Sequence, residues 1–346
     1  MPSTPLRVAV VGFWHVHAGD YARQVVEHPD TELVAVWDDD PERGREGADR
    51  FGVPFTDDLD ALLARDDVDA VTITTSTDVH LDVIGRAARA GKHVFTEKLL
   101  APTVEECEEL VAACASAGVA LVVSLPRLYH GYTAAIRREI EEGRLGDVNT
   151  ARVRLSHDGA LAPWLPERFF DPQTAVGGAL TDLGCHPVYL TQLFLGAEPD
   201  TVEAVYRSVT GRAVEDHAVV TVGYPSQAIG VIEAGFVAGT PFTIDVAGTG
   251  GWLAYSDADG RLTAGGTAYG DGVVDLPIPE DGQDAFGQWV DHIHAGTRAD
   301  ENLARAVDLT RLVVAANAAA REHTPANAAA RQHTPANAAA REHPAA

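Results

Sequence analysis

Short apolar runs separated by amphipathic stretches fill the first 125 positions. LRVAVVG, ELVAVWD, VDAVTITT, KHVFTEK and VALVVS are continuous and rich in valine. Strands of that kind are buried on both faces, as in a parallel sheet covered by helices. Between them, GDYARQVVEHPD, PERGREGADRFG, DLDALLARDD, DVHLDVIGRAARAG and TVEECEELVAACASAG read as helices. Thr103 and Glu106 have capping-box spacing at the start of the last one. The alternation predicts an α/β Rossmann domain, a doubly wound parallel sheet.

Near Asp147 the pattern changes to period two. VNTARVRLSH, TVEAVYRSV, DHAVVTVGYP, AIGVIEAGF, FTIDVAGTGG and GWLAYSD follow one another without intervening helices of ten residues. This predicts an open, mainly antiparallel sheet in a second, α+β domain. GGALTDLGCHPVYLTQLFLG reads as a helical insert, and QDAFGQWVDHIHAG and NLARAVDLTRLVVAANAAA read as closing helices. The expected division is 1–125 for the dinucleotide-binding domain, 126–322 for a substrate and oligomerisation domain, and 323–346 for a repetitive Ala-rich tail. His323, His333 and His343 recur in that tail, too sparsely to chelate a metal.

Composition narrows the partners. Acidic residues outnumber basic ones 51 to 26, for a net charge of -25. Such a field repels phosphate backbones and anionic membranes, so neither nucleic acid nor a membrane is expected. The first apolar stretch, Val8 to Val11, has strand length, and no signal peptide or span is expected. Cys107, Cys114 and Cys185 are too few and scattered for a disulfide framework. These features predict a cytoplasmic protein. An open sheet with one free face predicts a homo-oligomer, dimer or tetramer.

Several residues could carry chemistry. Gly12 ends the first strand, where a tight turn aims a helix N-terminus at an anion. Asp38 ends the second strand, a little over ~20 residues on, where a carboxylate can accept from an adenosine ribose. Asp38, Asp39 and Asp40 together favour NAD, with NADP possible because Arg43 lies close by. Glu97 and Lys98 end another strand, at the edge that meets the ligand crevice; a lysine there can polarise a carbonyl or alkoxide oxygen. Asp182 and His186 are spaced i and i+4, which on one helix places carboxylate and imidazole on the same face, suited to general base or acid work. Cys185 reads as a small packing residue.

VAVVG, Asp38, the TEK of Thr96 to Lys98 and GGALTDLGCHP together resemble the Gfo/Idh/MocA oxidoreductases, over roughly residues 5 to 320. The resemblance implies an NAD(P)-dependent enzyme acting on secondary alcohols or ketones of sugars, cyclitols and related polyols. By matching position it implies that Lys98 assists at the reacting oxygen, Asp182 orients, and His186 accepts the proton. Gly12, Trp14, His15, Asp38, Thr75, His80, Glu97 and Lys98 fall on the cofactor side. Arg127, Tyr129, Trp164 and Arg168 fall with Lys98, Asp182 and His186 on the substrate side, and His130 is a further candidate contact. The chain departs from the pattern where Leu99 replaces the proline of E-K-P, and where Trp14 and His17 replace glycines of G-x-G-x-x-G. Trp14 or His15 is expected to project toward the nicotinamide side.

Two other readings stand beside this one. His15 and His17, spaced as H-x-H, could hold a metal in a β/α-barrel hydrolase or isomerase. The altered loop and Leu99 also leave room for a dinucleotide-binding sensor that has lost catalysis. No metal is expected on the leading reading.

Overall fold

A computed structural model of the chain describes residues 5–162 and 164–322; the repetitive tail lies outside them. The first sheet contains β1 (Leu6–Val11), β2 (Thr31–Trp37), β3 (Phe55–Thr56), β4 (Ala70–Ile73), β5 (His93–Thr96) and β6 (Leu121–Val123). Their order is β3-β2-β1-β4-β5-β6, and every pair is parallel. The valine runs sit at its centre: Val8, Val10 and Val11 are wholly buried. Helices α1 (Ala18–Glu27), α2 (Pro41–Phe51), α3 (Leu59–Leu63), α4 (His80–Arg89) and α5 (Val104–Ala117) connect the strands. The capping box appears at the start of α5, with both reciprocal bonds between Thr103 and Glu106. This is the doubly wound sheet expected from the sequence.

After α6 (Gly131–Glu141), β7 (Val148–Ser156) enters a second sheet. Next come α7 (Ala179–Asp182) and α8 (Cys185–Leu195), then β8 (Thr201–Arg207), β9 (His217–Gly223), β10 (Ile229–Gly235) and β11 (Thr243–Gly248). The sheet is completed by β12 (Gly251–Ser256), β13 (Arg261–Gly266) and β14 (Gly270–Leu276). The order is β14-β13-β12-β11-β7-β10-β9-β8, antiparallel except for β7 against β10. Alternate residues of β7, such as Ala151 and Val153, face α8. Helices α9 (Ala285–Ala295) and α10 (Asp300–Glu322) return toward the first sheet. α9 packs on β5 and β6, and α10 reaches α5, α8 and β8.

The helical insert is broken. One helix through GGALTDLGCHP would put Asp182 and His186 on one face. Instead α7 ends at Asp182, and α8 starts at Cys185 after Leu183 and Gly184. Gly184 explains the tight join: a Cβ there would lie 2.7 Å from the Leu180 carbonyl oxygen. β13 and β14 leave little periodic signal, because their runs are short and interrupted by glycine.

Candidate active site

The C-terminal ends of β1, β4 and β5 open on one crevice, and α7 and α8 close it from the second sheet. Gly12 has φ +90°, and a Cβ there would sit 2.8 Å from Thr75 Cγ2. Only glycine fits that turn. The Thr74 hydroxyl donates to the Gly12 carbonyl, fixing the loop against the end of β4. Thr75 Oγ1 is buried without a partner. A glycine turn facing an unpaired buried hydroxyl, at the end of a strand next to the start of α1, fits a dinucleotide phosphate. Trp14 turns away from that cradle. Its ring stacks on Phe169 at 4.8 Å, and its carbonyl accepts from Arg168 Nε at 2.6 Å. Trp14 is thereby packed against Phe169, and its bulk does not obstruct the turn. His15 does line the pocket that contains Lys98.

Asp38 is fully buried and already well served. Its Oδ2 accepts from Phe13 N–H at 2.6 Å and Arg43 Nε at 3.0 Å; its Oδ1 accepts from Asp40 N–H at 2.8 Å and Arg43 Nη2 at 2.6 Å. A carboxylate offers about four lone-pair sites, so a ribose hydroxyl reaches Asp38 only when Arg43 moves. Arg43 shares a pocket with Phe13, Arg50 and Arg168 at this end of the crevice. Arg168, expected among the substrate contacts, stands here beside Arg43, its 3-10 turn anchored on the Trp14 carbonyl, and does not line the Lys98 pocket.

Three other expected site residues lie elsewhere. His80 is wholly buried, with Nδ1 against the carbonyls of Leu99 and Leu100, so it braces the segment after Lys98, while its Nε2 is buried without a partner. Tyr129 lines a different cavity, with Arg137, Asn302 and Arg305. His130 pairs with Asp281 at 2.7 Å. Both follow the turn after β6, which carries them past the pocket.

Lys98 is the centre of the site. Leu99 stands in place of proline, yet the ammonium still reaches across to the second sheet's helices. Nζ donates to the Asp182 carbonyl at 2.9 Å and to its Oδ1 at 3.2 Å, and lies 3.2 Å from Glu97 Oε1. Burial pushes the lysine pKa down, but Asp182 and Glu97 outweigh it and hold it well above the ordinary value. Glu97 is held well below its ordinary value against burial, first by Lys98 and then by His15 and His17. Asp182 is likewise driven far down by Lys98 and His15. Asp182 Oδ1 is also 3.3 Å from His15 Nε2.

His186 has a different partner from the one its spacing suggested. Its Nδ1 is 2.8 Å from the Tyr189 hydroxyl, and that hydroxyl accepts from Arg127 N–H at 3.0 Å. A tyrosine carries one proton, and a buried hydroxyl left without an acceptor is costly. The satisfied arrangement has Tyr189 donating to Nδ1, which leaves the His186 proton on Nε2. Burial, Lys98 and Arg127 together hold His186 well below its ordinary pKa, so the ring is neutral. Arg127 also borders this pocket, its guanidinium 4.1 Å from the Phe242 ring centre. Trp164 stands at the rim, 51% exposed. The cavity measures about 210 Å³. Cys185 is buried, with Sγ on the Asp182 carbonyl and its thiol pushed up to about 12 mainly by burial, as fits a packing residue.

The H-x-H pair does converge with Glu97, with ligand atoms within 4.8 Å of one another. The donors are already committed. His15 Nδ1 accepts from His17 N–H at 3.2 Å, Tyr21 donates to Glu97, and the Lys98 ammonium lies against Glu97. A cation would have to displace that ammonium, so the donor set does not fit a resident metal. The barrel that the metal reading requires is also replaced by the second sheet.

A parallel dinucleotide-type sheet whose crevice ends on a lysine between two carboxylates defines an NAD(P)-dependent oxidoreductase. Residues 6–125 match the family described as "Oxidoreductase family, NAD-binding Rossmann fold", and residues 133–254 match the "GFO/IDH/MocA C-terminal domain". The chain belongs to the Gfo/Idh/MocA family. It is 31% identical over 258 residues to a dTDP-3,4-didehydro-2,6-dideoxy-alpha-D-glucose 3-reductase of Streptomyces violaceoruber, covering 75% of this chain and 72% of that protein. The enzyme of the same name from Actinomadura kijaniata is 32% identical over 213 residues, 61% of this chain and 63% of that one. Among solved structures, GenD2 from gentamicin A biosynthesis in complex with NAD superposes with a TM-score of 0.79 at 27% identity, covering 93% and 96% of the two chains. No helix among the described residues is long and apolar enough to cross a membrane.

Proposed function

We propose that the chain transfers hydride between NAD(P) and a carbonyl or secondary alcohol of a small sugar or cyclitol held against Lys98. The observation that carries this reading is the buried Lys98 ammonium, poised between Glu97 and Asp182 at the mouth of the dinucleotide crevice. The cavity of about 210 Å³ is smaller than the roughly 300–1,000 Å³ of drug-sized sites, which favours a monosaccharide-sized ligand. The relatives that reduce keto sugars support the same substrate chemistry.

The cofactor, once bound, supplies or takes the hydride. The chain's own groups manage the oxygen. His186 Nε2–H donates a hydrogen bond to it, and Lys98 holds it electrostatically. In reduction Lys98 gives its proton to the alkoxide, which is a stronger base than any amine; in oxidation the proton moves the other way. His186 therefore orients and polarises, and Lys98 makes the transfer. Asp182 keeps Lys98 and His15 in place.

The test is thermal stabilisation by NAD and NADP, then by a panel of sugars and cyclitols with absorbance at the nicotinamide band. A dinucleotide at 100 times its Kd should add about 2.7 kcal/mol. NAD should bind more tightly, because Asp39 and Asp40 stand beside Asp38. A melting point unmoved by either dinucleotide overturns the reading.

The outer face of the second sheet presents Val205, Val231 and Trp252 beside the Arg152–Glu233 pair. This supports burial against a second copy. Light scattering should return a dimer or tetramer; a monomer at micromolar concentration refutes it.

A further inference from the structure

His17 replaces a glycine of the phosphate loop, and nothing in hydride transfer or cofactor binding requires an imidazole there. It stands between two cavities. One is the Lys98 pocket; the other, of about 190 Å³, lies between α1 and α9 and is bordered by Asp20, Gln24 and Asp284. The side chain is 39% exposed, whereas Glu97 and Lys98 are 3% and 2% exposed. A series of short steps joins them: Lys98 Nζ to Glu97 Oε1 is 3.2 Å, and Glu97 Oε2 to His17 Nδ1 is 3.4 Å.

We infer that His17, acting through Glu97, carries protons between Lys98 and solvent by way of the second cavity. This rests on the proposed role of Lys98. When Lys98 gives a proton to an alkoxide, an N–H bond breaks and an O–H bond forms, leaving a neutral amine between the Glu97 and Asp182 carboxylates. Glu97 takes a proton from His17 Nδ1 and passes it to Nζ, and water in the second cavity returns one to His17. Reduction consumes one solvent proton; oxidation runs every step backwards and releases one.

The alternative branch, through Asp182 and His15, is closed. His15 is 6% exposed, and its Nδ1 is occupied by His17 N–H. His17 also has the charge balance of a relay. Glu97 and Lys98 face it from the end of β5, Asp182 from α7, and Asp20 and Tyr21 from α1. His15 lies on its own loop, and Asp284 stands across the second cavity. Burial opposes its protonation, but Glu97, aided by Asp182, outweighs Lys98 and raises its pKa above the ordinary value.

The experiment has two arms on the full chain. In the first, NMR of 15N-labelled histidine follows His17 with pH. The midpoint should fall in Glu97→Gln and rise in Lys98→Met; a midpoint that ignores both variants overturns the route. In the second, His17→Asn is assayed in weak buffer on the sugar that the panel identifies. Turnover should fall about tenfold or more, below the roughly hundred- to ten-thousand-fold of a group that acts directly on the reacting oxygen, because His17 acts through Glu97. Added imidazole should restore it while dinucleotide affinity, read by fluorescence, stays within twofold. An unchanged rate, or a loss that imidazole does not restore, also overturns it. Turnover by Lys98→Met within tenfold of the native rate would instead overturn the role of Lys98 on which this inference rests, so the two failures are distinct.

Discussion

Lys98→Met is expected to lower turnover by roughly a hundred- to ten-thousand-fold, the usual range for losing a positioned proton donor. The same change removes the counter-ion of the buried Glu97 and the partly buried Asp182. Breaking a buried pair by deleting one partner costs about 3–5 kcal/mol, so the melting temperature should fall as well. The pH dependence separates these effects. In the native protein Glu97 and Asp182 have depressed pKa values. Their stabilisation is present above the ordinary carboxylate range and is lost as pH falls through the folded values. Without Lys98 the depression disappears, and the pH of maximum stability should move down. Denaturant melts across pH check this. Turnover within tenfold of the native rate would remove Lys98 from the mechanism.

Trp289→Ala should be the most destabilising of the core truncations, at about 3–5 kcal/mol. Trp289 is wholly buried on α9, where its ring lies 5.8 Å from Phe95 and 5.4 Å from Phe286. Few core side chains leave a larger cavity. The position matters for the site because Phe95 lies on β5, two residues before Glu97. A cavity beneath that strand should loosen the carboxylate that steadies Lys98. Urea unfolding of the variant measures the loss, and dinucleotide affinity measures the loosening. A loss below about 1 kcal/mol would show that this side of the sheet closes up without the indole.

The first sheet could be read directly from the sequence. Its strands are continuous valine runs with a helix after each, and such runs have no stable arrangement except burial on both faces. Gly12 was legible too, because a glycine at a strand end before a helix has few other uses. Side-chain partners are least legible where local pattern and long-range contact part company. Asp182 and His186 have helical spacing, but the helix is interrupted between them at Leu183 and Gly184, and His186 pairs with Tyr189 one turn on. His80 follows a strand at the correct edge, yet its ring turns inward to the carbonyls of Leu99 and Leu100. Tyr189 gave little signal, since a tyrosine within an apolar helix looks like core until its hydroxyl is seen between Arg127 and His186.

Local pattern was enough for the two-sheet architecture, the dinucleotide turn at Gly12 and the lysine at the end of β5. Each follows from periodicity or from a residue whose backbone freedom admits one use. What each polar side chain touches was set by the folded arrangement. It gave Arg43 to Asp38, placed Lys98 between Glu97 and Asp182, and turned Trp14 away while leaving His17 between two cavities. Those pairings join residues as many as 167 positions apart, as with His15 and Asp182. They are set by where the loops of two separate sheets meet, which no local pattern encodes.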